Sequence, residues 1–286
     1  MLRCSRAVLI PQRPPGVVMG PTPISSFKIG PLAVEVYKDR NALGQAAAAV
    51  AANRLRDLAR QHETVAVILA TGESQLATLH ALADTPDVPW NQIVGFRMDE
   101  YVGLPDDHPA SFQRYMRENL TSRVQLRRLY EIDDAEVNAQ KTCREYADLI
   151  RAHRPLLCLL GIGENGHLAF NDPAEAVFDD PVDVKLVSLD RVCRQQQVNE
   201  GWFSVLAEVP TKAITLTVPA LFRVPELILS IPGPRKARIV KRTLYDPIST
   251  ACPATILRRH SNATLFLDAD SAAELALGRS WTERVL

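Results

Sequence analysis

The 286-residue sequence lacks a net charge, a paired-cysteine motif and a long apolar run, and each absence excludes a class of function. Its 33 basic and 33 acidic residues balance, so no long-range field draws the chain to nucleic acid or to an anionic membrane. No stretch approaches the ~18 consecutive apolar residues of a membrane-spanning helix. We therefore expect neither a nucleic-acid partner nor a membrane partner.

Cysteine is scarce and scattered. The five cysteines include no C-x-x-C pair, which argues against both a disulfide framework and a thiolate zinc site. The six histidines form no H-x-x-x-H pattern with carboxylates, so we expect no metal. A reducing cytoplasm is the location that this usage predicts.

Short apolar strands alternate with helical segments along the chain. We predict strands at 32–37, 65–69, 93–98, 155–160, 184–188, 213–217, 226–230 and 263–267, and helices at 41–62, 75–83, 111–119, 135–153 and 234–243. Such alternation is typical of a mostly parallel sheet with helices on both faces. No linker, repeat or low-complexity tract divides the chain. We predict one doubly wound, Rossmann-like α/β domain.

The N-terminal segment has a different composition. Residues 7–10 form a brief apolar run that nearby prolines interrupt, and this run is too short for a signal peptide. We predict a disordered tail over residues 1–30, with Met19 as an alternative start, and the α/β domain over residues 31–286.

The segment at 159–173, LLGIGENGHLAFNDP, is the most informative part of the sequence. A buried-type strand stops at two glycines, and the loop then supplies Asn165, His167 and Asp172. Glycines such as Gly163 allow the backbone to approach a ligand closely, and ligand sites in open α/β sheets lie at strand ends. The alternative is a histidine that caps a turn among solvated charges.

A second strand end carries carboxylates. In VGFRMDEYVGL, at 94–104, an apolar strand runs into Asp99 and Glu100 ahead of a glycine. Acidic pairs are common in turns, so a turn-forming role is the alternative. Two strand ends that carry acid and base groups predict a single cleft.

Together, GIGENGHLAFNDP and FRMDEYVGL resemble the glucosamine-6-phosphate deaminase family, whose patterns are close to G-x-G-x-D-G-H-x-A-F-N-E-P and F-x-M-D-E-Y-x-G-L. The resemblance runs from about residue 32 to residue 267. It implies a cytoplasmic enzyme that converts glucosamine 6-phosphate and water to fructose 6-phosphate and ammonia. It implies a sugar phosphate as the small-molecule partner and no cofactor, and it allows a homo-oligomer.

The resemblance also implies catalytic roles. Asp99 matches the base that moves a proton between C2 and C1 of the open-chain sugar, with Glu100 as a supporting group. A partly desolvated cleft would raise the pKa of such a base towards neutrality. His167 matches the histidine that opens the sugar ring, and Asp172 matches a carboxylate that orients it.

Position 165 departs from the family pattern, which has a carboxylate there. An amide such as Asn165 cannot stabilise an imidazolium by charge, so either Asp172 acts alone or Glu164 joins it. We expect Asn165→Asp to be tolerated, because it restores the family residue.

Substrate binding is assigned by resemblance to Thr71, Gly72, Ser74, Gly163 and Lys236. The first three lie between a strand and a helix, where backbone N–H groups make a phosphate cradle. The residues alone leave two alternatives open: Ser74 is a plain helix cap, and Lys236 is a surface lysine of the following helix.

The phosphate site also contains departures. Glu73 replaces a glycine, and its carboxylate would repel a phosphate unless it points away. Gln197 stands where the family has an arginine. Arg194, which we include among the substrate-binding residues, and Arg235 are candidate replacements.

Two other functions remain alternatives. The 6-phosphogluconolactonases share a G-x-D-G-H loop but lack the A-F-N-[DE]-P continuation and the M-D-E-Y segment. A non-catalytic sugar-phosphate sensor of the kind found in transcriptional regulators would need a helix-turn-helix, for which this chain has neither room nor basic charge.

Some family members are activated by N-acetylglucosamine 6-phosphate, whose phosphate is held by the N-terminal amine, a serine, an arginine and a lysine. Our alignment places Glu175 at the serine, Asp183 at the arginine and Lys185 at the lysine. Acidic groups oppose a phosphate, so we expect no such activation.

Overall fold

The computed structural model describes residues 17–133 and 138–276. The strands are β1 (Ser25–Ile29), β2 (Leu32–Tyr37), β3 (Val65–Leu69), β4 (Ile93–Arg97), β5 (Asp99–Tyr101), β6 (Arg128–Tyr130), β7 (Leu157–Leu160), β8 (Val184–Ser188), β9 (Lys212–Leu216), β10 (Leu227–Ile231) and β11 (Ala263–Asp268). The helices are α1 (Arg40–Ala59), α2 (Leu76–Asp84), α3 (Phe112–Met116), α4 (Ala139–His153), α5 (Arg191–Asn199), α6 (Val218–Phe222) and α7 (Ala237–Tyr245).

The main sheet has the order β1-β2-β11-β10-β7-β3-β4-β6 in the described ranges. Its pairs from β2 to β6 are parallel. Along β3, Val67 and Leu69 belong to the core shared with α1 and α2, whereas Ala66 and Ile68 belong to the core shared with α4 and α7. Helices therefore cover both faces, which accounts for the almost continuous apolar strands. The predicted doubly wound, mostly parallel fold is confirmed.

The direction of winding changes between β3 and β7. From β3 the chain goes outwards to β4 and β6, and from β7 it goes the other way to β10 and β11. The Ala70 N–H still donates to the Leu159 carbonyl at 2.9 Å, so the strands stay paired up to the point where their loops diverge. A crevice at such a switch point is where open α/β sheets bind ligands.

A second, antiparallel sheet has the order β5-β9-β8. It pairs Asp99 with Thr215 and Glu100 with Ile214, and aromatic residues such as Tyr101 and Phe170 fill a separate core beneath it. The predicted strands at 184–188 and 213–217 therefore lie outside the main sheet. The reason is β5, a three-residue strand that follows β4. It pairs with β9, which in turn pairs with β8, and the three form a separate sheet.

The predicted disordered tail is wrong for residues 17–30. There β1 pairs antiparallel with β2, from Ser25 opposite Val36 to Ile29 opposite Leu32. Upstream, Asn53 of α1 exchanges hydrogen bonds of 2.9 Å with the backbone N–H and carbonyl of Val18. The half-exposed β1 offers too weak an apolar pattern to be recognised in the sequence. The rest of the predicted tail, residues 1–16, lies outside the described residues, as does the predicted start of the helix at residue 135.

No helix in the described part of the chain is long and apolar enough to cross a membrane. Four of the five cysteines lie in that part, and all four are buried free thiols: Cys143, Cys158, Cys193 and Cys252. Cys158 lies within β7, as expected for a small apolar core residue.

Candidate active site

A cleft opens at the carboxyl ends of the central strands. Its walls are the loops after β3 and β7, the β4–β5 junction, the inner face of α5, and one lysine that precedes α7. The cleft thus gathers groups from segments that are far apart in the sequence, as the switch point predicts.

Asp99 lines this cleft from the first position of β5 and is almost fully buried. Burial, together with the negative charge of Glu100, raises the pKa of its carboxyl to about 8, against the opposing effect of the Arg97 guanidinium. A carboxyl with a pKa near neutrality can both accept and return a proton at physiological pH.

Glu100 points away from the cleft. Its carboxylate forms a buried ion pair with Arg97 and accepts backbone N–H bonds from Tyr101 at 2.9 Å and Gln113 at 3.2 Å. Burial raises the pKa of Glu100, and the Arg97 charge counteracts that rise. The predicted supporting role is therefore indirect: Glu100 ties β5 to α3 and adds negative charge beside Asp99.

His167 and Asp172 face each other across the loop that follows β7. The imidazole Nδ1 lies 3.0 Å from Asp172 Oδ1, and both side chains are buried. The ring packs on Gly163, where a Cβ would lie 2.1 Å from Nε2, so only glycine fits. Burial raises the pKa of Asp172, but its bonds to His167 and Asn165 prevail and lower it overall. The aspartate is therefore an ionised partner for the ring.

Asn165 lies beside this pair in a position that disfavours a carboxylate in this chain. Its Nδ2 donates to Asp172 Oδ1 and to Asp190 Oδ2, both at 2.8 Å, and its Oδ1 accepts the backbone N–H of His167 at 3.0 Å. An aspartate at position 165 would place an oxygen against two carboxylates. The expectation that Asn165→Asp is tolerated is therefore reversed.

The alternative that Glu164 joins the histidine does not fit the geometry. Its Oε1 lies 3.3 Å from Nε of Arg235, which also contacts Glu73 at 3.0 Å and Glu200 at 4.0 Å. Glu164 thus belongs to a charge network at the mouth of the cleft. Asp172 contacts the ring without it.

The predicted phosphate-binding residues lie at one end of the cleft. Thr71, Gly72 and Ser74 line it, and Gly72 has a φ of 94°, a conformation that favours glycine. Lys236 enters the same space and is almost fully buried. Burial lowers the pKa of Lys236, and the charge of Glu200 counteracts this. An anion in the cleft would stabilise the charged ammonium.

Glu73 lines the cleft beside the predicted phosphate-binding residues, but its charge is engaged elsewhere. Its carboxylate bridges Arg40 at 2.6 Å and Arg235 at 3.0 Å. Burial raises the pKa of Glu73, but the two arginines lower it overall. The carboxylate that seemed to oppose phosphate binding is thus neutralised by its neighbours.

Arg194 has its guanidinium engaged by backbone carbonyls. Its guanidinium donates to the carbonyls of Leu206 at 2.6 Å and Val209 at 2.9 Å, away from the cleft. This geometry argues against the prediction that Arg194 binds the substrate, which stays a prediction. Gln197, at the position of the family arginine, does line the cleft.

Comparison with known proteins agrees with the two sequence motifs. The family model described as glucosamine-6-phosphate isomerases/6-phosphogluconolactonase matches residues 38–266, which is most of the chain. The chain belongs to this family. The resemblance predicted from the sequence is thereby confirmed.

Relatives within the family are moderately similar. A glucosamine-6-phosphate deaminase of Exiguobacterium sibiricum is 32% identical over 221 residues, which make up 77% of this chain and 85% of the relative. One of Streptococcus thermophilus is 30% identical over 207 residues, or 72% of this chain and 86% of the relative. The chain thus spans most of each relative.

Solved structures share the fold. A monomeric glucosamine-6-phosphate deaminase is 28% identical with a TM-score of 0.77, and the match covers 84% of this chain and 99% of the other. A 6-phosphogluconolactonase of Thermotoga maritima is 22% identical with a TM-score of 0.68, covering 83% and 99%. The second likeness shows the fold alone.

Asp190 belongs to the hydrogen-bond network of the site, although the sequence did not reveal it. Asp190 precedes α5, and its position before a helical segment indicates an N-cap. Its bond to Asn165 joins residues 25 positions apart. No local pattern could predict that contact, because it depends on how the β7 loop folds against α5.

Proposed function

We propose that this protein is a glucosamine-6-phosphate deaminase, which converts glucosamine 6-phosphate and water to fructose 6-phosphate and ammonia. The observation that carries the proposal is one cleft containing a buried carboxyl with a raised pKa, Asp99, and an oriented imidazole, His167. The names of the relatives in Exiguobacterium sibiricum and Streptococcus thermophilus support the same activity.

Substrate binding would begin at the phosphate. The backbone N–H groups and hydroxyls of the loop from Thr71 to Ser74, together with the Lys236 ammonium, form the cationic end of the cleft. In the proposed pose the phosphate lies there, and the sugar extends towards Asp99 and His167. Lys236 supplies a charge-assisted contact that the mostly buried cleft strengthens.

Ring opening is the proposed role of His167. Its Nδ1 is engaged by Asp172, so Nε2 is the atom that faces the cleft and can pass a proton to the ring oxygen. Asp172, held ionised, keeps the ring oriented and stabilises the positive charge that develops on it.

Asp99 would then transfer a proton from C2 to C1 of the open-chain sugar. Loss of the C2 proton gives an enolamine, and protonation at C1 gives an imine at C2. Water hydrolyses that imine, which releases ammonia and leaves the ketone. The raised pKa of Asp99, about 8, suits a group that must first accept and then return the same proton.

The cellular setting is part of the proposal. We place the enzyme in the cytoplasm, supported by four buried free thiols in the described part of the chain. We propose that the folded domain includes β1, which pairs with β2. The partner of the enzyme is a small sugar phosphate.

A substrate panel tests the function. Purified protein is incubated with glucosamine 6-phosphate, galactosamine 6-phosphate, glucose 6-phosphate and 6-phosphogluconolactone, while ammonia, ketose and acid are measured. We expect ammonia and fructose 6-phosphate in equal amounts from the first substrate. Hydrolysis of the lactone without ammonia release would identify a lactonase, and binding without any turnover would identify a sensor.

A further inference from the structure

The side-chain amide of Asn165 is clamped between two carboxylates. An amide nitrogen carries two N–H donors, and here one goes to Asp172 Oδ1 and the other to Asp190 Oδ2. A flipped amide would set an oxygen against both acceptors, so the orientation is determined by charge. Asp172 in turn contacts the ring nitrogen of His167.

Asp190 reaches the same aspartate by a second route. Its backbone N–H donates to Asp172 Oδ2 at 2.9 Å. Both carboxylate oxygens of Asp172 are therefore held by the pair formed by Asn165 and Asp190, and one of them also contacts His167. The remaining oxygen of Asp190, Oδ1, accepts the Cys193 N–H at 2.7 Å and caps α5.

We propose that Asp190 is a positioning residue for the His167–Asp172 pair, acting through Asn165. This inference rests on the proposed function, because it assumes that His167 opens the sugar ring. The family pattern has a carboxylate at position 165, whereas in this chain position 165 is an amide that links the carboxylates of Asp172 and Asp190.

The physical argument concerns charge and direction. With Asp190 ionised, Nδ2 of Asn165 must face both carboxylates, so the Asp172 oxygen that touches His167 keeps a second donor. Without that charge Nδ2 loses one of its two acceptors, and only Asp172 and the His167 backbone N–H still hold the Asn165 amide. The Asp172 oxygen that touches His167 then has a less firmly fixed donor, and the orientation of the His167 ring loosens.

Asp190→Asn tests the link while keeping the helix cap, because asparagine caps helices as well as aspartate does. With the helix cap kept, the new amide nitrogen at position 190 faces Nδ2 of Asn165, so two donors meet. We expect kcat to fall by about tenfold to a hundredfold, the range for groups that orient a reacting residue without touching the substrate. KM should change less than about twofold. The matched control is Asp39→Asn, which alters the N-cap of α1, takes no part in the hydrogen bonds of the relay and should keep wild-type kcat.

A double-mutant cycle separates this role from general destabilisation. Asn165→Asp alone brings three carboxylates together and should lower kcat strongly. In the Asn165→Asp/Asp190→Asn variant the amide and the carboxylate are exchanged and the net charge is that of wild type. We expect its kcat to be at least about fivefold above the product of the single effects. Multiplicative effects, or wild-type kcat in Asp190→Asn, would overturn the proposal.

A measurement without turnover distinguishes failure of this inference from failure of the proposed function. The Asn165 side-chain amide protons, assigned in ¹⁵N NMR spectra by their absence from the Asn165→Asp variant, should exchange slowly in wild type and much faster in Asp190→Asn. If wild type releases no ammonia from glucosamine 6-phosphate, the function has failed, and the exchange rates alone decide about Asp190. Equal exchange rates in the two proteins would refute the link.

Discussion

Asp99 combines burial with neighbouring charge in a way that a solvated carboxylate does not. Burial and the Glu100 charge raise its pKa to about 8, against the pull of Arg97. The residue is therefore largely protonated in the free enzyme at neutral pH. A base with this pKa gains its active form as the pH rises through that value.

For Asp99→Asn we expect kcat to fall by roughly a hundredfold or more, because the amide cannot accept the C2 proton. In wild type, kcat/KM for glucosamine 6-phosphate should rise with pH to a midpoint near 8. Steady-state kinetics between pH 5 and 9.5 measure both effects. The exposed loop variant Asp106→Asn is the control and should match wild type. Normal turnover in Asp99→Asn would remove Asp99 from the mechanism.

The same pKa shift predicts a stability change. The folded-state pKa of Asp99, about 8, lies above the usual 3.8, so the folded protein holds a proton that the unfolded chain has already lost. Stability from the neutral carboxyl is fully present below about pH 4 and is lost as the pH rises towards 8. Asp99→Asn should therefore unfold at higher urea concentration than wild type at pH 9, with a smaller difference at pH 4. A gain limited to pH 4 would contradict this assignment.

Lys236 is the second residue for which the structure predicts the effect of a substitution. Because a phosphate handle is remote from the reacting carbons, it contributes mainly uniform binding. Lys236→Ala should raise KM for glucosamine 6-phosphate about tenfold or more and change kcat much less. The control is Lys241→Ala on α7, whose side chain is 55% exposed. If wild type binds glucosamine as tightly as glucosamine 6-phosphate, Lys236 is not a phosphate contact.

At the scale of elements, the apolar pattern of the sequence predicted the longer strands. The strands at 65–69 and 184–188 have the predicted bounds. Site residues at the ends of such strands, Asp99 and His167, were predicted together with them. The short β5 and β6 were missed, since three residues carry no period. Each exists only by pairing with a distant strand, β5 with β9 and β6 with β4.

The contacts of α5 show where local pattern stops being informative. One face of this helix lines the cleft, and Arg194 points instead to the turn at Leu206 and Val209. Aligned sequence placed this arginine one helical turn from the family's phosphate-binding position. The direction of the Arg194 side chain depends on the turn that supplies those carbonyls, so it could not be determined before the position of that turn was known.

Arg194→Ala should therefore affect stability and leave substrate binding alone. Loss of the bonds to the 206 and 209 carbonyls leaves polar groups unpaired, so we expect thermal unfolding to occur a few degrees lower. KM for glucosamine 6-phosphate should stay within about twofold of wild type. Arg191→Ala, an exposed position on the same helix, is the control for both measurements. A rise in KM as large as that of Lys236→Ala would restore Arg194 to the phosphate site.

At the scale of the whole molecule, the region that corresponds to the family's effector site is closed by its own charges. Lys185 Nζ contacts the Glu175 carbonyl at 2.5 Å and Asp180 Oδ2 at 2.8 Å. Asp183 is paired with Arg151 at 3.0 Å and with Arg223. The single lysine that matches the effector pattern is thus neutralised internally, and an acidic residue stands where an arginine would bind phosphate.

We therefore expect no activation by N-acetylglucosamine 6-phosphate. A phosphate would have to break the Lys185–Asp180 pair and approach Asp183, and no cation that matches the family's arginine repays that cost. Initial rates against glucosamine 6-phosphate, at fixed pH and ionic strength, should follow a hyperbola with and without the acetylated sugar. Lys185→Ala should leave that curve unchanged, although it should lower thermal stability by removing the pair with Asp180. Sigmoidal rates that become hyperbolic when N-acetylglucosamine 6-phosphate is added would show that an effector site persists elsewhere in the chain.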